Sequence, residues 1–217
     1  ELDEQRAKVN RAQGKLMLEA AKERAIEDGV SEPATRQRNG TLVESLLELE
    51  KDIRLLVVGK RGETAYQASG HLGSNLERVV RELHRPILMV PKTFTRPEKI
   101  LMAFDGSKTS RKGVEMLARS PLFAGTECHV LIVGAETAER RSELEWALGI
   151  LRDAGHQAEG AIRAGEVDEA LQAYEKEHGI DLLVMGAYGH SRIRHLLVGS
   201  TTTAMLRGSR IPVLILR

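Results

Sequence analysis

Hydrophobic residues are distributed along the chain in two rhythms. Residues 53–58, 87–90, 100–104, 127–133, 182–185 and 211–216 are short, mostly unbroken apolar runs. Runs of that length are too short for helices and suit strands buried on both faces of a parallel sheet. Residues 157–163 add a more polar strand, and residues 35–38 a short one closed by Asn39-Gly40. Between these runs, apolar residues recur at helical spacing over 41–51, 74–84, 107–118, 137–154, 167–177 and 202–207. Residues 1–28, rich in Ala, Glu, Lys, Arg and Leu and free of proline, read as one long amphipathic helix. Strands alternating with helices imply right-handed crossovers and an α/β architecture around a parallel sheet.

The same pattern occurs twice. Residues 55–62 (LLVVGKRG) match 182–189 (LLVMGAYG) at an offset of 127, and 72–90 match 198–216 at an offset of 126. The change of offset places one extra residue in the first copy's loop, between Gly62 and Gly73. Asn39-Gly40 through Lys51 likewise matches Ala164-Gly165 through Lys176. The Gly-Ser helix starts and the Arg-Pro-Ile-Leu and Ile-Pro-Val-Leu segments agree on one offset, so the chain is a duplicated domain. Thr93 to Glu98 (TFTRPE) separates the copies, giving expected domains at 1–92 and 98–217 joined by a linker over 93–97.

Candidate chemistry centres on residues 181–203 (DLLVMGAYGHSRIRHLLVGSTTT). Gly186 ends a strand, Gly189 follows three residues later, and Gly199-Ser200 opens a helix with a hydroxyl N-cap. Glycine admits a ligand close to the backbone, and the free N–H groups of a first helical turn point at an anion. The complete spacing, Gly186-x2-Gly189-x9-Gly199-Ser200, resembles the ATP-binding signature of the universal stress protein family. Both copies resemble that family's domain, the second over its full length.

The resemblance implies two flavodoxin-like, adenine nucleotide alpha hydrolase-like domains, each with a parallel sheet of order 3-2-1-4-5. The nucleotide would lie at the carboxyl ends of strands 1 and 4, where an open α/β sheet reverses its winding and accepts ligands. Gly189, Gly199, Ser200, Thr201 and Thr202 would cradle phosphates through main-chain N–H groups and the Ser200 hydroxyl. Gly186 would lie against the ribose, Asp105 at the end of strand 1 would contact the adenosine part, and Ala103 and Val133 would wall the base. Each of these has a plainer role available: a turn for Gly186, a helix cap for Asp105 beside Ser107, core packing for Ala103 and Val133. Magnesium shared with the phosphates is compatible with the motif. The family also implies pairing through the last strands, 87–90 beside 211–216, about a pseudo-twofold axis.

The first copy departs from the pattern. It keeps Gly59, Gly62, Gly73 and Ser74, but ten residues separate Gly62 from Gly73 where nine separate Gly189 from Gly199. Its opening helix corresponds to the second helix of the other copy, so strand 1, helix 1, strand 2 and the strand-1 aspartate have no counterpart in this chain. Strand 3 would then lack a neighbour and strand 4 would present a bare apolar edge, and residues preceding Glu1 in the natural protein are expected. The first domain is expected to serve as a structural or regulatory partner and the second to hold the nucleotide.

Composition narrows the function further. Lys plus Arg is 32 against 31 for Asp plus Glu, and aromatics are 3% of 217 residues. That balance gives neither the basic surface nor the stacking platforms that nucleic-acid or anionic-membrane binding uses. The single cysteine, Cys128, sits in an apolar run and reads as a buried small hydrophobe in a reducing, cytoplasmic setting. No run reaches the roughly 20 apolar residues of a membrane span.

The histidines (His71, His84, His129, His156, His178, His190, His195) show no metal-ligand spacing. His190, Arg192, Arg194 and His195 fall in the nine-residue loop, where they read as solvated charge. No Gly-x-Ser-x-Gly elbow and no lysine-bearing phosphate loop is present, so no catalytic or metal-binding residue is assigned. The expected function is an ATP-binding regulatory protein of the stress response that acts through an unidentified protein partner, with a further homodimer left open. The alternatives are a slow ATPase or autophosphorylating enzyme on the same site, and a nucleotide-free scaffold.

Overall fold

The computed structural model describes residues 2–60, 74–187 and 200–217, which fall into two compact units, 1–45 and 46–217. In chain order the elements are α1 (Leu2–Glu27), α2 (Leu42–Leu49), β1 (Leu56–Gly59), α3 (Ser74–Glu82), β2 (Ile87–Val90), β3 (Lys99–Ala103) and α4 (Lys108–Arg119). They continue with β4 (Glu127–Val133), α5 (Ala138–Asp153), β5 (Gln157–Arg163), α6 (Val167–His178), β6 (Leu182–Gly186), α7 (Ser200–Gly208) and β7 (Val213–Leu216). The seven strands form one mixed sheet in the order β1-β2-β7-β6-β3-β4-β5.

The duplication is visible in the hydrogen-bond ladder. In β1 and β2, Leu56 pairs with Ile87 and Gly59 with Val90. In β6 and β7, Leu183 pairs with Val213 and Gly186 with Leu216, the same register at the sequence offsets of 127 and 126. Even the flanking bonds repeat: Leu56 N–H donates to Pro86 O (3.0 Å) and Leu183 N–H to Pro212 O (3.1 Å). β2 and β7 then pair antiparallel, with Ile87 opposite Ile215, Leu88 opposite Leu214 and Met89 opposite Val213. Leu88 and Leu214 are equivalent residues of the two copies, so the pseudo-twofold axis passes through that pair.

Every other neighbouring pair of strands is parallel. One face of the sheet carries Ile100, Met102, Cys128, Val130, Leu182, Val184, Leu214 and Leu216 in a single core with Val114 and Leu117 of α4 and Leu144, Leu148 and Leu151 of α5. The other face buries Leu101, Leu131, Leu183, Val213 and Ile215 on the side of α6 and α7, whose Leu171, Tyr174, Met205 and Leu206 are also buried. Cys128 is part of the first core, and burial pushes its thiol up to about 11, so it is a protonated, inert side chain at neutral pH.

Two expectations for residues 1–45 fail. Residues 35–38 carry no strand. A strand needs a second backbone to bond with, and no described residue supplies a ladder there; Gln37 instead donates its side-chain amide to Arg11 O at 3.1 Å. The long helix α1 forms, but it buries no amphipathic face within its unit. Val9, Leu16, Met17 and Ile26 are 49–66% exposed, while only the small stripe Ala7, Gly14, Leu18 and Ala25 is partly shielded. At the far edge of the sheet β1 pairs, among the described residues, only with β2, and Val57 is 56% exposed.

A side-chain clamp registers the two strands that flank the centre of the second half. Asp181, just before β6, accepts from Glu98 N–H (3.1 Å) and Lys99 N–H (3.0 Å), and its own N–H donates to Lys99 O (2.9 Å). Replacing Asp181 with Ala leaves two main-chain donors without their charged acceptor. The expected cost is about 1–3 kcal/mol in urea unfolding, with Asp181→Asn intermediate; a variant as stable as the parent would show that the clamp contributes nothing.

Candidate functional site

β3, β4 and β6 are adjacent, and the chain leaves β3 toward β4 on one side but returns to β6 on the other. The winding therefore reverses between β3 and β6, and the carboxyl ends of strands at such a reversal are where open α/β sheets bind ligands. Ala103 ends β3, Val133 ends β4 and Gly186 ends β6, all three half-buried at that edge, and Asp105 stands two residues beyond β3. The fold thus brings Ala103, Asp105, Val133 and Gly186 to one rim. Ser200 and Thr201 open α7, which starts beyond the same rim after the β6 segment. Gly189 and Gly199, with His190, Arg192, Arg194 and His195, lie outside the described residues, as do Gly62 and Gly73 of the first copy.

The turn after β3 is held in detail. Asp105 Oδ1 accepts from Ser107 N–H at 3.0 Å, and Ser107 Oγ caps α4 by accepting from Ser110 N–H at 3.2 Å. Gly106 between them has φ 72°, and a side chain there would strike the Glu143 carboxylate. Arg111 organises the outer side. It donates to Gly106 O (3.1 Å) and Glu143 Oε1 (2.9 Å), and its guanidinium lies 4.7 Å from the centre of the Trp146 ring. Phe104 stacks on Trp146 at 6.1 Å. Sequence reasoning missed this brace, since Glu143 and Trp146 are more than thirty residues from Arg111 and no motif links them.

The start of α7 is tied to the end of β6 by one buried bond. Thr202, 2% exposed, donates its hydroxyl to Ala187 O at 2.9 Å. The Thr202 side chain is therefore a tie between helix and strand, and any ligand contact made by this residue runs through its main-chain N–H. The first copy has no such tie. Leu76 stands where Thr202 does, and Lys60 stands where Ala187 does. Lys60 instead sends its ammonium to Arg207 O (2.7 Å) and Ser209 O (2.6 Å) at the carboxyl end of α7, where the helix dipole favours a cation.

A cavity of about 200 Å3 lined in part by Ser120, Ala124, Gly155 and His156 lies at the opposite, amino-terminal ends of the strands and is unrelated to this rim. No described helix is long and apolar enough to cross a membrane.

The sequence profile of the universal stress protein family matches residues 1–91 and 129–217. A curated universal stress protein of Synechocystis sp. is 40% identical over 219 aligned residues, covering 100% of this chain and 76% of the relative. The chain belongs to the universal stress protein family.

Its two matched segments make it a tandem member. A universal stress protein of Mycobacterium tuberculosis is 27% identical over 202 residues, covering 82% of this chain and 66% of its own length. The chain therefore spans two thirds to three quarters of these relatives. The crystal structure of a universal stress protein from Archaeoglobus fulgidus superposes with a TM-score of 0.77 at 20% identity, over 94% of this chain and 76% of that one, a likeness of fold.

The Thr202 tie yields a direct test. Thr202→Val keeps the shape but leaves Ala187 O buried without its donor, so unfolding free energy should fall by about 1–3 kcal/mol, and Thr202→Ser should recover most of it. Equal stability of all three proteins in chemical denaturation would remove the tie from the account.

Proposed function

We propose that this universal stress protein binds ATP in its second domain, residues 98–217, and acts as a nucleotide-occupied regulatory protein rather than a fast ATPase. The observation that carries the reading is the convergence of Ala103, Asp105, Val133 and Gly186 on the rim where the winding of the sheet reverses, next to the start of α7. Ala103 and Val133 offer an apolar, half-buried wall for a base, and the Asp105 carboxylate suits ribose or adenine donors. Gly186, Gly189 and Gly199 let the backbone approach, and the N–H groups of Ser200, Thr201 and Thr202, with the Ser200 hydroxyl, face the phosphates. Magnesium would ride on the phosphates, held mainly by them and by water.

Contacts to a helix N-terminus contribute around 0.3–1 kcal/mol each. Micromolar binding needs roughly −8 kcal/mol, so burial of the base must supply much of the affinity. Nothing in the motif supplies the lysine that a phosphate loop uses on a γ-phosphate, which is why occupancy rather than turnover is the proposed output. The first domain, residues 1–92 with the linker 93–97, serves as the structural partner of the pseudo-dimer. Its equivalent helix start lacks the Thr202 tie, and its loop carries one more residue. Signalling would pass to a protein partner in a reducing, cytoplasmic setting that suits the buried Cys128 thiol.

The test is to extract the nucleotide that copurifies, identify it by chromatography, and titrate ATP into the emptied protein. ATP should be recovered, and Asp105→Ala should weaken its binding at least about tenfold, or 1.4 kcal/mol, with the fold intact. A protein that carries no adenine nucleotide and shows no thermal shift with ATP ends the proposal in favour of a scaffold.

A further inference from the structure

A second constellation lies under α6, toward the opposite ends of the strands from the nucleotide rim. His129 of β4 and Glu159 of β5 are directly paired in the parallel ladder, so their side chains leave the sheet on the same face. His178 is the last residue of α6, which Gly179 stops there in a left-handed cap with φ 65°. Glu159 Oε1 lies 3.1 Å from His129 Nδ1 and 3.6 Å from His178 Nδ1. The three candidate ligand atoms all fall within 4.8 Å of one another.

The outer nitrogen of each ring faces a carboxylate. His129 Nε2 is 3.0 Å from Glu127 Oε1, and the other oxygen of Glu127 pairs with Lys99 at 3.4 Å. His178 Nε2 is 3.6 Å from Glu177 Oε1, and the other oxygen of Glu177 pairs with Arg163 at 2.7 Å. His129 Nε2 is thus within hydrogen-bond distance of a carboxylate that Lys99 pairs with, whereas His178 Nε2 lies near, but outside hydrogen-bond distance of, the carboxylate that Arg163 pairs with. At His129 this is the carboxylate–histidine arrangement that orients imidazoles that bind metals. Both Nδ1 atoms face the same oxygen of Glu159. With both rings neutral, the three carboxylates Glu127, Glu159 and Glu177 face two cations, Lys99 and Arg163, leaving one negative charge over.

Tyr174 completes the wall. Its hydroxyl is 3.0 Å from His129 Nδ1, its ring stacks on His178 at 4.0 Å, and Arg163 lies 4.6 Å from the ring centre. His129 is 1% exposed, whereas the side chains of His178 and Glu159 are 27% and 57% exposed, so the site has a rigid floor and an open mouth. An ion could enter from solvent without unfolding the sheet.

We propose that His129, Glu159 and His178 form a zinc-type divalent metal site, ligated through the two Nδ1 atoms and one carboxylate oxygen and completed by water. Two imidazoles and a carboxylate suit Zn2+ and its neighbours in the transition series, and disfavour Ca2+ and Mg2+, which take oxygen. Bound metal would pin the edge strand β5, where Glu159 sits, to the carboxyl end of α6. The site is independent of the nucleotide reading.

The test uses untagged protein stripped with a chelator. ZnCl2 titrated in a calorimeter should bind at one equivalent per chain and raise the unfolding temperature, and CoCl2 should give the visible absorption of a low-coordinate Co2+ centre. His178→Ala and Glu159→Gln, both at the exposed mouth, should each weaken binding by more than the roughly 10- to 100-fold expected for the outer-sphere Glu127→Gln. His84→Ala should leave it unchanged. Absence of Zn2+ binding, or binding that His178→Ala and Glu159→Gln do not alter, would overturn the proposal.

Discussion

A parallel sheet built by crossovers ends in strands whose outer N–H and C=O groups have no partner, and an apolar last strand is the most exposed to this cost. Here the last strand of one copy satisfies the last strand of the other. β2 and β7 bond antiparallel about the Leu88–Leu214 pair, and two edges disappear together. Because equivalent residues meet at the axis, the two copies had only to keep one register to stay complementary. Ile87 and Met89 on one side, and Val213 and Ile215 on the other, are fully buried by this junction. The continuous seven-stranded sheet of residues 46–217 rests on that pairing.

Symmetry in the ladder coexists with asymmetry at the strand ends. The main-chain bonds of the two copies repeat bond for bond, yet the side chains just beyond β1 and β6 differ. Lys60 is committed to the carboxyl end of α7, across the pseudo-dimer junction, and thereby ties the first copy to the second. Its counterpart Ala187 presents only a carbonyl, which Thr202 takes. One copy thus uses its strand end for the contact between copies, while the other joins its strand end to its helix start. Divergence of a few side chains after duplication is sufficient for that difference.

The Arg111 brace and the Asp181 clamp lie at opposite ends of β3. Both hold backbone next to a central strand through a charged side chain bonded to main-chain groups, Arg111 also pairing with Glu143, and such a contact is stronger than an exposed ion pair. They explain why a five-residue strand can present Asp105 at a defined height on the rim: its entry and exit are each fixed from outside the ladder.

Much of this was legible in the residues. Strands β3, β4, β6 and β7 are buried on both faces, so each had to be an apolar run, and runs of that length are hard to mistake. The repeat was legible because Gly186, Gly199 and Pro212 recur as Gly59, Gly73 and Pro86 at offsets of 127, 126 and 126. The strand expected at 35–38 failed for the converse reason: pairing belongs to two segments, and a propensity describes one. The sequence by itself determined a duplicated α/β chain and a glycine-marked strand–loop–helix. Only the tertiary structure decided which side chains meet. His129, Glu159 and His178 share no spacing, and they converge because strand register and the stop of α6 act across stretches of chain that no local pattern spans.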